Sequence, residues 1–108
     1  MAKISVVVNT LNEEKNLSRA LSSIKNIADE IVVCDMYSDD KTVAVAKKYG
    51  AKVHEHKRTS FVEPARNFAL SKASGDWILV LDADEEIPES LAYRLKEITN
   101  EDNIDYVL

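Results

Sequence analysis

Two aspartates one residue apart, Asp82 and Asp84, follow directly on the apolar run Trp77-Ile78-Leu79-Val80-Leu81, and Glu85 and Glu86 come next. Carboxylates packed this closely repel one another unless a cation lies among them. Residues two apart on an extended chain project to the same side, so Asp82 and Asp84 can share one ligand if the chain stays extended past the run. Hard divalent ions such as Mg²⁺ suit this donor set, since they take one or two protein carboxylates and fill the shell with substrate phosphate and water. The run itself does not alternate, which fits a strand covered on both faces, as central strands of parallel sheets are. Acids delivered by such a strand fall in the crevice outside the carboxyl ends of the sheet, the usual ligand site of open α/β folds.

The remaining elements must hold that edge in place. Ile4 to Val8 is a β-branched run that predicts a buried strand. Asn9-Thr10-Leu11-Asn12 breaks it, and Asn12 fits the N-cap of a helix starting at Glu13-Glu14, with acid in its first turn. Leu17, Ala20, Leu21 and Ile24 then recur at three and four residues as one apolar stripe. Ile31 to Cys34 reads as a second strand ending at Asp35. Asp39 or Asp40 would cap the following helix, in which Val43, Ala46, Lys47 and Tyr49 lead to Gly50 as an αL terminator. Ala51 to His56 predicts a short edge strand. His54 and His56 are alternate residues and face the same way; with no third ligand nearby, solvated edge imidazoles flanked by Glu55 and Lys57 account for them better than zinc.

Lys57 to Ser60 is a polar loop, and Pro64 suits the first turn of a helix carrying Ala65, Arg66, Phe68, Ala69 and Lys72, closed by Ser74-Gly75. After the acids, Ile87-Pro88 opens a last helix with Glu89 near its start and Leu91, Leu95 and Ile98 as its inner stripe; Thr99 to Asp105 is a polar connector. The order β-α-β-α-β-α-β-α, with a further strand after it, predicts an α/β domain: a doubly wound, mostly parallel sheet with right-handed crossovers and helices on both faces.

Five segments in order carry a resemblance: Ile4-Ser-Val-Val-Val-Asn-Thr-Leu-Asn-Glu-Glu-Lys-Asn, Asp29-Glu-Ile-Val-Val-Cys-Asp, Thr42-Val-Ala-Val-Ala-Lys-Lys-Tyr-Gly-Ala-Lys-Val, Ala65-Arg-Asn-Phe-Ala-Leu and Gly75-Asp-Trp-Ile-Leu-Val-Leu-Asp-Ala-Asp-Glu. Together they resemble the nucleotide-sugar-binding half of family-two glycosyltransferases of the A-type, Rossmann-like fold, above all bacterial enzymes that build lipopolysaccharide core and other surface glycans.

The resemblance implies a nucleotide-sugar site at Thr10, Asn12, Glu13, Asp35, Arg66, Asp82 and Ala83, with Asp84 as the direct metal ligand and Asp82 reaching ribose, or the metal through water. It implies Mn²⁺ or Mg²⁺ as cofactor, a UDP-sugar as donor and a glycan or lipid-linked acceptor. Asp35 would accept a hydrogen bond from a uracil-type N–H or a ribose hydroxyl. Arg66 would lie beside the diphosphate, where a planar, permanently charged fork fits, or else form a structural salt bridge to a strand-end aspartate. Glu85 and Glu86 are explained by a helix N-terminus without a catalytic role. Relatives usually follow the strand-end Asp with a small glycine-containing turn; this chain has Met36-Tyr37-Ser38-Asp39-Asp40-Lys41 instead. Tyr37 there either stacks on the base or packs on the next helix.

The 108 residues make one domain. The resemblance implies a further stretch carrying the acceptor site and the general base, and no residue here is assigned as that base. From this half alone one expects donor binding, negligible transfer, and an uncovered apolar strand edge or sheet face that leads either to self-association as a homo-oligomer or to marginal stability. Net charge of −5, with scattered Lys and Arg, argues against nucleic acid as partner. No apolar run approaches the roughly 18 residues needed to span a bilayer, and the N-terminus has no signal pattern, so the expected location is cytoplasmic, or peripheral at the inner face of the membrane. Cys34 lies in an apolar run and reads as a buried, inert thiol.

Two enzyme-site alternatives are weak. A phosphoacceptor receiver needs an acidic pair after the first strand, where this chain has Asn9-Thr10, and a sugar nucleotidyltransferase needs a glycine- and arginine-rich loop there. A non-enzymatic binding or interaction module remains the other alternative.

Overall fold

The computed structural model describes residues 3–57 and 68–99. Four strands form one parallel sheet: β1 (Ile4–Thr10), β2 (Glu30–Asp35), β3 (Lys52–Glu55) and β4 (Trp77–Asp82), in the order β3-β2-β1-β4. Three helices are complete within the described residues: α1 (Leu17–Ile24), α2 (Thr42–Lys48) and α3 (Glu89–Thr99). Residues 68–71 are also helical, and Arg66, with the start of the helix expected around it, lies outside the described residues. The expected α/β architecture is thus present.

Alternation along the strands sorts two cores. Val6, Val8, Ile31, Val33, Trp77, Leu79 and Leu81 face α1, α2 and α3, and the α1 stripe of Leu17, Ala20, Leu21 and Ile24 is buried against them as its spacing predicts. On the opposite face Val7, Val32 and Cys34 pack with Ala69, backed by Phe68 and Ile78. Burial first, and then the neighbouring Asp35 carboxylate, push the Cys34 thiol above its ordinary value, as befits an inert core thiol.

Three expectations are corrected. β4 is not central among the described strands but lies at one end of the sheet, so Ile78 and Val80 are only half-buried while Trp77, Leu79 and Leu81 are buried. The continuous apolar run marks a strand with one face fully packed and the other partly packed. In α3 the inner face is Ala92, Leu95 and Thr99, and Leu91 is 46% exposed. The stripe is rotated by one position: Ala92 joins the same core cluster as Ile27 and Leu95, and Leu91 turns outward. β3 is an edge strand as expected, but its histidines are not simply solvated. Both rest on the Phe68 ring, with centroids 6.4 Å (His54) and 5.0 Å (His56) away, and Lys72 Nζ lies 5.2 Å from the ring centre. Among the described residues they join no group of three or more metal-ligating side chains.

The amino end of the sheet is tied by one acid. Glu30 accepts hydrogen bonds from Lys52 Nζ at 2.7 Å, Ser5 Oγ at 2.7 Å, and Ser74 N and Oγ at 2.9 and 3.1 Å, joining β1, β2, β3 and the loop before β4. Lys52 above all, then the Ser74 amide and Ser5, hold its carboxyl down at about 2 against an ordinary 4.5. A depressed folded value means that the stabilisation is complete above pH 4.5 and is lost as pH falls from there toward 2. Since Lys52 is well exposed and screened, the contribution is on the order of 2 kcal/mol. Glu30→Gln should therefore lower stability to urea at pH 7 by about that amount and remove most of the pH dependence below pH 4.5; a variant curve parallel to the parent's from pH 7 to 3 would refute this.

Candidate functional site

Thr10, Asp35 and Asp82 end three adjacent parallel strands, with Thr10 opposite Asp35 and Asn9 opposite Asp82 in register. The chain adds β2 and β3 on one side of β1 and then returns to place β4 on the other side. The sheet's topological switch point therefore lies between β1 and β4, at Asn9 and Asp82, and such points open the ligand crevice of α/β sheets.

Asp35 is buried, at 1% exposure, and its carboxylate is already used. It accepts from Thr10 Oγ1 at 2.6 Å, Ser38 Oγ at 2.6 Å and Ser38 N at 2.8 Å. A carboxylate so enclosed does not present the open acceptor that a phosphorylated receiver requires.

Beyond the strand ends the β1–α1 and β2–α2 loops are clasped together. Asn12 N donates to Ser38 Oγ at 2.8 Å, and Asp39 N returns a bond to Asn12 Oδ1 at 2.7 Å. Glu13 N donates to Thr42 Oγ1 at 2.8 Å, Glu14 N to Asp40 Oδ2 at 3.2 Å, and Lys41 N to Glu14 Oε1 at 3.0 Å. Asp40, one residue before the N-cap Lys41 rather than at the cap itself, also accepts from the amide and the hydroxyl of Thr42 at the start of α2, and the Thr42 hydroxyl is the main reason its carboxyl is held below the usual range.

The clasp overturns the expected start of α1. Asn12 does not cap a helix at Glu13: its φ is +55°, its side chain serves Asp39, and the helix begins at Leu17. The amides of Glu13 and Glu14, which a helix would leave for its own cap, go to Thr42 and Asp40, and Asn16 and Leu17 N close a turn on Glu13 O. Glu13 itself accepts from Asn16 Nδ2 at 3.1 Å. Tyr37, at φ +55° and 55% exposed, takes up a left-handed conformation in the turn after β2, a region that favours glycine.

The acidic stretch departs from an extended chain. Glu85 N donates to Asp82 O and Asp82 N to Glu85 Oε1, both at 3.0 Å, so the chain turns directly after Asp82. Simple alternation therefore does not set how Asp82 and Asp84 face each other; both are exposed, one at the strand end and one in the turn. Ala83 between them is buried and joins the core, leaving its backbone as its only reach toward a ligand. Glu85 and Glu86 do not start a helix, since α3 begins at Glu89; Glu85 closes the turn.

Sequence reasoning missed Asn9, Ser38 and Thr42 as parts of this edge. The signal was the alternation of short polar side chains in Asp35-x-x-Ser38-x-Asp40-x-Thr42, which in a loop that cannot form a ladder is a set of side-chain acceptors for a neighbouring loop. A groove of about 770 Å³ between α1 and α3, lined by Ser22, Ile27, Ile87, Ala92, Tyr93 and Lys96 among others, includes none of Thr10, Asp35 or Asp82.

The family model described as glycosyl transferase family 2 matches residues 5–108. A Rickettsia typhi protein named as a glycosyltransferase is 42% identical over 108 residues; the match takes in all of this chain and 37% of the relative, so the chain spans little more than a third of that relative's length. Residues 1–349 of Staphylococcus aureus TarS in complex with UDP superpose with a TM-score of 0.74 at 32% identity, covering 89% of this chain and 32% of that one. Glucosyl-3-phosphoglycerate synthase of Mycobacterium tuberculosis, in complex with Mn²⁺, UDP and glucosyl-3-phosphoglycerate, superposes with a TM-score of 0.73 at 25% identity, covering 95% and 42%. No helix among the described residues is long and apolar enough to cross a membrane.

Proposed function

Because the chain belongs to glycosyl transferase family 2, we propose that it is the donor-binding part of a glycosyltransferase and holds a nucleoside-diphosphate sugar, with UDP as the nucleotide, across the carboxyl edge of its sheet. The observation that carries this reading is the alignment of Thr10, Asp35 and Asp82 at the ends of three adjacent parallel strands, beside a turn that exposes Asp84. The UDP bound to the TarS and synthase relatives supports the choice of nucleotide.

In this reading Asp35, enclosed by Thr10 and Ser38, fixes the floor of the nucleotide site by holding the ends of β1 and β2 and the loop after β2 in place for the base or ribose. Asn12 keeps its loop in register with Ser38 and Asp39 and presents its amide nitrogen to the nucleotide, with Glu13 steadied by Asn16. The Ala83 backbone faces the sugar–phosphate, and Arg66 neutralises the diphosphate. Two exposed carboxylates on a strand end and a tight turn fit a hard divalent ion, which needs only one or two such ligands and takes the rest from phosphate and water. Asp84 would hold Mn²⁺ or Mg²⁺ directly, and Asp82 would contact the ribose or reach the ion through water. When bound, the ion supplies Lewis-acid stabilisation of the charge that develops on the diphosphate leaving group. The acceptor, a glycan or lipid-linked sugar, and the general base of an inverting transfer are not assigned to any residue of this chain.

The test is a titration with UDP in Mn²⁺ and in EDTA, for the parent, Asp84→Ala and Glu86→Ala. Asp84→Ala should abolish the difference between the two conditions and Glu86→Ala should leave it, because Glu86 belongs neither to the strand end nor to the turn's hydrogen bonds. The reverse ranking would show that the metal ligand has been misplaced.

A further inference from the structure

Two non-glycine residues among those described hold a positive φ, Asn12 and Tyr37, both at +55°, and both stand in the paired loops beyond the ends of β1 and β2. Asn12 is readily explained. Asparagine enters the left-handed region more easily than most residues, and its side chain is used to bind Asp39 N. Tyr37 is not explained that way. A bulky aromatic is costly there, and such conformations persist only where the surroundings impose them.

The surroundings do impose it. Met36 N donates to Thr10 O at 2.9 Å and Ser38 N to Asp35 Oδ2 at 2.8 Å, so the residues on either side of Tyr37 are pinned to the strand ends. This accounts for the backbone but not for the tyrosine, since glycine or asparagine meets the same φ at less cost. Burial offsets only part of that cost, because the side chain is 55% exposed. Leu91 and Tyr93, the other exposed large apolar side chains among the described residues, both lie on α3. Tyr37 is thus the one that the carboxyl-edge loops present.

A flat, amphipathic ring on a pinned loop, two residues past Asp35, suits a planar base, because stacking asks for a π-face and no particular pattern of donors and acceptors. We propose that Tyr37 stacks on the nucleobase of the donor. The inference rests on the donor-binding reading above: Asp35, enclosed by Thr10 and Ser38, holds the loop, and Tyr37 supplies the surface. The face of a donor sugar could meet the same ring. UDP carries no donor sugar, so the two sources separate when UDP itself is the probe.

The experiment measures dissociation constants of UDP and 5,6-dihydro-UDP in Mn²⁺ for the parent chain, Tyr37→Phe, Tyr37→Asn and Tyr37→Gly, with a thermal melt of each protein. Dihydro-UDP keeps every hydrogen-bonding atom of the base and loses only its flat aromatic ring. The parent should bind UDP about tenfold more tightly than dihydro-UDP, within the range that stacking of a base on an aromatic side chain contributes. Tyr37→Phe should retain that preference. Tyr37→Asn and Tyr37→Gly should bind the two ligands alike, with UDP weakened by about tenfold, and should melt close to the parent's temperature. Equal affinity of the parent for the two ligands would overturn the assignment whatever the variants do. So would Asn and Gly variants that keep the preference, or that weaken both ligands by the same factor, which would leave Tyr37 as a holder of the loop. A Phe variant that loses as much as the Asn variant would also overturn it, by giving the effect to the phenol hydroxyl. A parent that binds neither ligand would instead remove the donor-binding reading, and this inference with it.

Discussion

Asp35→Ala is expected to cost about 3–5 kcal/mol of folding stability, a large share of what a domain of this size possesses. The substitution strips the acceptor from Thr10 Oγ1, Ser38 Oγ and Ser38 N at once, in a position that is 1% exposed. Water cannot replace the carboxylate for the buried Thr10 hydroxyl, so the donors are left with their full desolvation cost. Asp35→Asn keeps the oxygen that serves the two hydroxyls but turns an N–H toward the Ser38 amide, and should lose less. Urea unfolding at pH 7 orders the three proteins as parent, Asn, Ala; an alanine variant as stable as the parent would mean that the knot between β1 and β2 is not what holds this edge.

Gly75→Ala is the second large effect, at about 3 kcal/mol, and it acts at the opposite end of the sheet. A Cβ at Gly75 would lie 2.6 Å from Ser5 Oγ, 2.8 Å from Ser5 N and 2.9 Å from Lys3 O. The hydroxyl can rotate away, but the other two atoms are backbone at the start of β1, where Trp77 N also pairs with Lys3 O at 3.0 Å. Relief requires β4 to move against β1, which disturbs the Asn9–Asp82 pairing at the far end of the same two strands. Thermal unfolding of Gly75→Ala and of the double variant with Ser5→Ala distinguishes the sources: full rescue by removing the hydroxyl would contradict the backbone origin, and a persistent deficit supports it.

These two residues show what a sequence reader can and cannot see. Asp35 was legible as a strand-end acid, because a β-branched run stopping at a carboxylate has few other meanings in an α/β chain. Its burial and its bonds to Thr10 and Ser38 were not, since they depend on two loops separated by a helix. The same limit explains the misplaced start of α1. Asn12-Glu13-Glu14 has the local chemistry of a helix cap, yet tertiary donors and acceptors in Ser38, Asp40 and Thr42 outbid it.

Long periodic signals survived, as in the Leu17, Ala20, Leu21, Ile24 stripe, because burying four apolar side chains outweighs any local preference. In α3 the pattern was ambiguous by one position and packing chose Ala92 over Leu91. The acidic run was read correctly as the end of a strand, but alternation was carried one residue too far: Glu85 turns the chain at once by bonding back to Asp82. Asn9 carried no sequence signal at all, being one polar residue in a strand, and only its register opposite Asp82 marks it out.

The most direct test of donor binding is calorimetric titration of the 108-residue chain with UDP, once in Mn²⁺ and once in EDTA. Saturable binding in both conditions, tighter in Mn²⁺ by about tenfold or more, is the predicted result. No binding of UDP in either condition would contradict the assignment of the carboxyl edge as a nucleotide site, and equal affinity in both would contradict the role given to Asp82 and Asp84.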